Sequence, residues 1–164
     1  MRISSLLIGA AALAFASAAS AQTIENVSFS PDFQEELEDE YGVDEGAYLD
    51  ETLTRYVAEA LERRGAHANG ARIELTIVDA APNRPTRQQQ FDQPSIDFLR
   101  SVSIGGAELR AVIRDESGAV VDEVTHRYYS SDLRQASMSA DVWGDARRSM
   151  RRFADKVATA YVAR

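Results

Sequence analysis

The chain contains no cysteine among its 164 residues. That absence removes disulfides, thiolate catalysis, iron–sulfur clusters and cysteine-ligated zinc together. Histidine is nearly as scarce: only His67 and His126 occur, with no second histidine at ligand spacing. His67 falls just past a helix end, where a ring suits the last carbonyls, and His126 falls in a strand, where a cross-strand partner suits it. Positive charge is in deficit, with 18 Lys and Arg against 26 Asp and Glu for a net −8. Nucleic acid is therefore excluded as a partner. Gly105-Gly106 lacks the third glycine of a dinucleotide fingerprint and the lysine of a phosphate loop, and reads as a bulge or bend ahead of a hairpin.

A hydrolase needs converging groups. Ser130, Ser131 and Asp132 follow His126, but no G-x-S-x-G elbow is present, and neighbours on a strand alternate faces instead of converging. The segment Asp39 to Gly46 has acids and glycines but not the alternating carboxylates and terminal glutamate of a calcium loop. No catalytic residue, metal ligand or cofactor is assigned.

What the chain does have begins with an address. Arg2, the apolar run Ile3 to Ala16 and Ala19-Ser20-Ala21 match the charged, oily and small-x-small parts of a cleaved signal peptide over residues 1–21. No cysteine follows the cleavage point for lipidation, and nothing after residue 22 is apolar long enough to span a bilayer. A periplasmic or secreted domain over residues 22–164 is expected, with no transmembrane segment and an undetermined oligomeric state.

Periodicity supplies the fold. Thr23 to Ser30 reads as a strand stopped by Pro31. Residues 32 to 54 carry ten acids and no base, which reads as solvated surface. Leu49, Leu53, Tyr56, Val57, Ala60 and Leu61 then fall on one helical stripe, giving a helix over about 47–64 closed by Gly65. Ala71 to Asp79 alternates as a half-buried strand. Ala80 to Pro94 holds three of the four prolines and reads as a long connection with no internal reason to pack. Ser95 to Ile104 offers an optional further strand. Ala107 to Asp115 and Ala119 to Tyr129, joined by Glu116-Ser117-Gly118, make a hairpin. Trp143, Ala146, Met150, Phe153, Ala154, Val157 and Tyr161 form the stripe of a terminal helix, with Asp141 or Ser139 as its N-cap. The expected fold is α+β: a two-layer sandwich of a mostly antiparallel sheet with two helices on one face, in the order β-α-β-(β)-β-β-α.

Two regions invite an interaction. In the proline-rich connection, Arg84, Arg87, Gln88, Gln89, Gln90 and Phe91 offer donors and one aromatic anchor. In the last helix, Arg148 and Arg152, like Arg147 and Arg151, are like-charge pairs four residues apart, unfavourable unless something negative faces them. Either the acidic segment 32–54 folds back over that helix, the favoured reading, or an anionic partner does.

The run Gly106 to Asp115, then Ser117-Gly118-Ala119-Val120-Val121, and later Trp143, Ala146 and Phe153-Ala154 resemble small exported proteins and lipoproteins of Gram-negative bacteria with a CsgG-like α+β domain. The resemblance implies a fold of that kind in an envelope-assembly setting, and no catalytic residues. Sequence and resemblance together lead to an exported, non-enzymatic envelope protein that engages an envelope protein partner in an interaction or assembly-accessory role. A periplasmic binder of a small or lipidic ligand, with a pocket between sheet and helices, is the alternative, and a hydrolase the third reading.

Overall fold

A computed structural model describes residues 24–67, 70–134 and 141–163; the leader 1–21 and Ser139 lie outside these described residues. The chain runs β1 (Ile24–Phe29), α1 (Pro31–Glu36), a π-helical turn (Leu37–Tyr41), α2 (Val43–Arg63), β2 (Arg72–Ala81), α3 (Arg87–Asp92), β3 (Gly106–Arg114), β4 (Val120–Tyr129) and α4 (Gly144–Val162). One four-stranded sheet, in the order β1-β2-β3-β4, carries the helices on one face as an α+β two-layer sandwich. β2, β3 and β4 pair antiparallel, whereas β1 pairs parallel to β2. The parallel pair requires a crossover, and α1, the π-turn and α2 supply it.

The two periodicities explain the layers. Ile73, Leu75 and Ile77 of β2 and Leu109, Ala111 and Ile113 of β3 are buried against the helices, at register Ile73↔Ile113, Leu75↔Ala111 and Ile77↔Leu109. They meet the α2 stripe Leu49, Leu53, Val57 and Leu61 and the α4 stripe Ala146, Met150, Phe153 and Val157, all buried. Each large aliphatic or aromatic side chain so buried contributes about 1.5–3 kcal/mol. The far sheet face holds cross-strand ion pairs Glu25–Arg72, Glu74–Arg114 and Glu123–Arg110. That is the expected wet side of an antiparallel layer. The hairpin turn closes on Asp115, whose Oδ1 accepts from the backbone N–H of Ser117 and Ala119.

Four expectations are corrected. Helix starts earlier than residue 47, at Val43, and much of the acidic run before it is helical. Ser30 caps α1 by accepting from the Phe33 N–H, and Pro31 sits in the first turn. Phe33 and Leu37 are buried, so one stripe of this acidic segment belongs to the core. Second, 80–94 packs: β2 continues to Ala81, Asn83, Arg84 and Thr86 are buried, and α3 follows. Third, Ser95 to Ile104 is not a strand, because Asp97 Oδ1 captures the backbone N–H of Leu99 and Arg100 and folds the segment into turns. Fourth, Gly105-Gly106 marks a close approach. A Cβ on Gly105 would lie 2.6 Å from the Asn83 side chain, and one on Gly106 2.3 Å from the Tyr128 carbonyl oxygen. The register shifts of the sheet lie elsewhere, between Ile24 and Val27, Ile77 and Asp79, and Ile113 and Arg114.

Candidate functional site

The excursion between β2 and β3 is built on buried polar groups. Asn83 is fully buried. Its Oδ1 accepts from the backbone N–H of Asp145 at 2.8 Å, and its Nδ2 donates to Asp145 Oδ2 at 2.8 Å and to the Ser103 carbonyl at 3.3 Å. Its backbone N–H donates to Val142 O, and its carbonyl accepts from the Ser103 N–H. One side chain thus ties the start and the end of the excursion to the first turn of α4. Such a group costs little when all its bonds are made and much when any is lost. Arg84, also buried, donates to the carbonyls of Phe98 and Leu99.

Thr86 then starts α3 with a reciprocal cap. Its Oγ1 accepts from the Gln89 N–H, and Gln89 Oε1 accepts from the Thr86 N–H. Gln89 also donates to Glu40, and Gln90 to the carbonyls of Pro85 and Thr86. Six residues are too few for an autonomous helix. Its position comes from these anchors and from Gly42, whose φ of +101° only glycine holds cheaply. A Cβ there would stand 3.2 Å from Gln88 Cβ, so α3 rests on the π-turn/α2 junction.

Two open clefts flank α3. One, of about 550 Å³, has mixed walls, with Glu40, Arg84, Gln89 and Asp92 beside Pro82, Pro85, Ile96 and Ile104. The other, of about 590 Å³, lies between α3 and the start of α2 and is lined by Tyr41, Gly42, Val43, Asp44, Glu45, Tyr48, Arg87, Gln88 and Phe91. Phe91 is 80% exposed, Val43 64% and Tyr48 39%. Neither cleft occupies the place expected for a ligand pocket, because the space between sheet and helices is filled by the core side chains.

Behind the clefts stands an aromatic row. Phe29, Phe33, Tyr41 and Trp143 follow one another with centroid separations of 5.9, 6.4 and 5.7 Å, the last pair edge-on at 88°. Trp143 donates its indole N–H to Glu45 Oε2 at 2.6 Å. Burial, followed by the charges of Glu40, Glu36 and Asp79, pushes the Tyr41 phenol up to about 12. Burial and then the charge of Asp79 likewise raise the Glu36 carboxyl. The Tyr129 hydroxyl donates to Asp79, and burial together with that bond raises its pKa. These tyrosines stay protonated donors at neutral pH.

The arginines of α4 resolve differently from expectation. Arg147 pairs with Asp141, and Arg148 with Asp145 at 2.8 Å. Arg147 Nε and Arg151 Nη2 both donate to the Tyr56 hydroxyl, at 3.2 and 3.0 Å. Burial works to raise the Tyr56 pKa, but the two guanidinium bonds outweigh it and lower it. Arg152 stacks on the Tyr128 ring at 4.7 Å. Among the described residues, the bond from Trp143 to Glu45 joins the acidic run to the start of α4, and the ion pairs of Arg147 and Arg148 are made with acids near the helix's own start. The later part of the acidic segment, as α2, does pack on α4, but the ion pairs of Arg147 and Arg148 are made with Asp141 and Asp145. Asp141 Oδ1 accepts from the Trp143 N–H, although the N-cap residue itself is Trp143.

Of the residues singled out in the connection, Arg87, Gln88 and Phe91 line the apolar-sided cleft, while Arg84, Gln89 and Gln90 direct donors into the scaffold. Sequence reasoning missed Asn83, Tyr41, Gly42, Val43 and Tyr48. The Thr86-x-x-Gln89 capping box was the available signal for α3. His126 Nδ1 lies 3.1 Å from Lys156 Nζ, and Ser130 Oγ interacts with the backbone of Asp132. No group of three or more His, Asp or Glu among the described residues is placed to hold a metal ion. No helix among them is long and apolar enough to cross a membrane. Neither a family model, nor a curated protein, nor a solved structure matches the chain.

Proposed function

We propose that the chain is an exported, non-catalytic binding domain of the bacterial envelope whose working surface is α3 and the residues facing it. One observation carries this reading: Phe91 is 80% exposed on a short helix held by buried, bonded polar groups. Water-exposed aromatics gain nothing for the fold, and interface hot spots favour large rigid side chains on preorganised supports. The leader-like residues Arg2 to Ala21 support export, and the hairpin and terminal-helix residues named above support an envelope setting of the CsgG-like kind. Binding of a small or lipidic ligand is the second reading, favoured by the 550 Å³ cleft, within the size range of ligand sites.

The test places a photo-crosslinking amino acid at position 91 and, as control, at Thr125 on the open sheet face, in chains expressed with their leader in a Gram-negative host. The proposal expects protein adducts specific to position 91 in the envelope fraction. Identical adduct patterns at both positions, or none at either, contradict it.

A further inference from the structure

Resting on that reading of α3 as the working surface, we infer that the cleft between α3 and the start of α2 takes a basic segment of a partner protein that carries one exposed aromatic or long aliphatic side chain. Shape and charge together favour that occupant. Val43 and Tyr48 form one wall and Phe91 the other, all solvent-exposed. Three such side chains across one hollow leave apolar surface that an inserted side chain would cover. The lining carries two acids, Asp44 and Glu45, against one base, Arg87, and the neighbouring cleft adds Asp39, Glu40 and Asp92 against Arg84.

Arg87 offsets one of these charges and the positive end of α2 about half of another, so the cleft stays negative by about half a charge before the acids of the neighbouring cleft add to it. Glu45 is fixed by the Trp143 indole, so part of the negative rim is preorganised. An incoming Lys or Arg would be steered to this mouth while its apolar neighbour enters the hollow.

Charge also disfavours the other occupants. Anionic lipid headgroups would meet like charge. The arginine face of α4 on a second copy is largely engaged, with Arg147 and Arg148 paired with Asp141 and Asp145 and Arg152 on Tyr128, and the exposed Leu99-Arg100 segment makes self-association an outcome the test must exclude.

The probe is a capped peptide with one tryptophan flanked on each side by lysine and arginine, titrated into the isotope-labelled protein by NMR. The controls are the same peptide with glycine for tryptophan, an acidic version, and phosphatidylglycerol vesicles. Shifts are expected to concentrate on Val43, Tyr48 and Phe91. Phe91→Ala should weaken binding about tenfold, Asp44→Asn by about threefold, and added salt should mimic the latter. Equal binding of the glycine or acidic control, shifts centred on the open sheet face, preference for the vesicles, self-association through the cleft, or no binding at millimolar peptide would each overturn the inference. Crosslinks from position 91 without peptide binding would leave the proposed function standing and remove this occupant alone. Peptide binding without crosslinks would do the reverse.

Discussion

Asn83 and Asp145, sixty-two positions apart, hold each other by two bonds: the carboxamide accepts from the Asp145 backbone N–H and donates to its carboxylate, each at 2.8 Å. Asp145 sits in the first turn of α4 and also pairs with Arg148. The contact therefore couples the excursion that bears Phe91 to the most strongly amphipathic helix of the domain.

Replacing Asn83 with Ala orphans a buried N–H, a buried carboxylate oxygen and the Ser103 carbonyl. Each buried group left unsatisfied costs about 1–3 kcal/mol. The expected outcome is a lowered urea midpoint with α3 amides losing protection. An unchanged midpoint would show that the contact contributes nothing.

Phe91→Ser should leave folding stability within about 0.5 kcal/mol, as exposed substitutions do. Leu53→Ala, fully buried between α2 and the sheet, should cost about 2–5 kcal/mol. Denaturant titration of both against the parent checks the contrast. A large loss at position 91 would mean that the side chain serves the fold.

Gly42→Ala forces a Cβ into a left-handed conformation and against Gln88. A loss of about 1 kcal/mol or more follows from the backbone alone, and α3 must shift as Gln88 gives way. Chemical shifts of Arg87 to Asp92 should move, while those of the β3–β4 hairpin should not. A neutral Gly42→Ala would contradict the packing of α3 on this turn.

The two long helices and the hairpin were legible because their burial is apolar and periodic. Leu49, Leu53 and Val57 on one stripe and Ile73, Leu75 and Ile77 at every second position announce which face turns inward. The excursion was illegible for the opposite physical reason. Asn83, Arg84 and Thr86 are buried as polar residues, and hydropathy cannot tell a bonded buried amide from a solvated one. Phe33 and Leu37 were hidden in the same way by the acids around them. Phe91 and Arg87 could be named from residue type, but the facing wall of Val43 and Tyr48 lies about forty residues earlier, and only folding brings it near.

His126 gives a pH dependence of definite sign. Burial, then the charges of Lys156 and Arg152, lower its pKa from 6.5, and its Nε2 is buried without a partner. The unfolded chain binds the proton first, so stability is full above pH 6.5 and falls as the pH drops through 6.5 toward the folded value. The stability difference between pH 7.5 and 5.5 should be smaller in His126→Gln than in the parent. An equal difference would place the charges elsewhere.

Native-state hydrogen exchange at the amides of Asn83, Ser103 and Asp145 reads the central claim, that the excursion is a platform fixed to the last helix. Those amides donate to Val142 O, Asn83 O and Asn83 Oδ1. The account predicts protection approaching that of the β2–β3 core amides. Exchange at the rate of an open loop, with the core still protected, would contradict it.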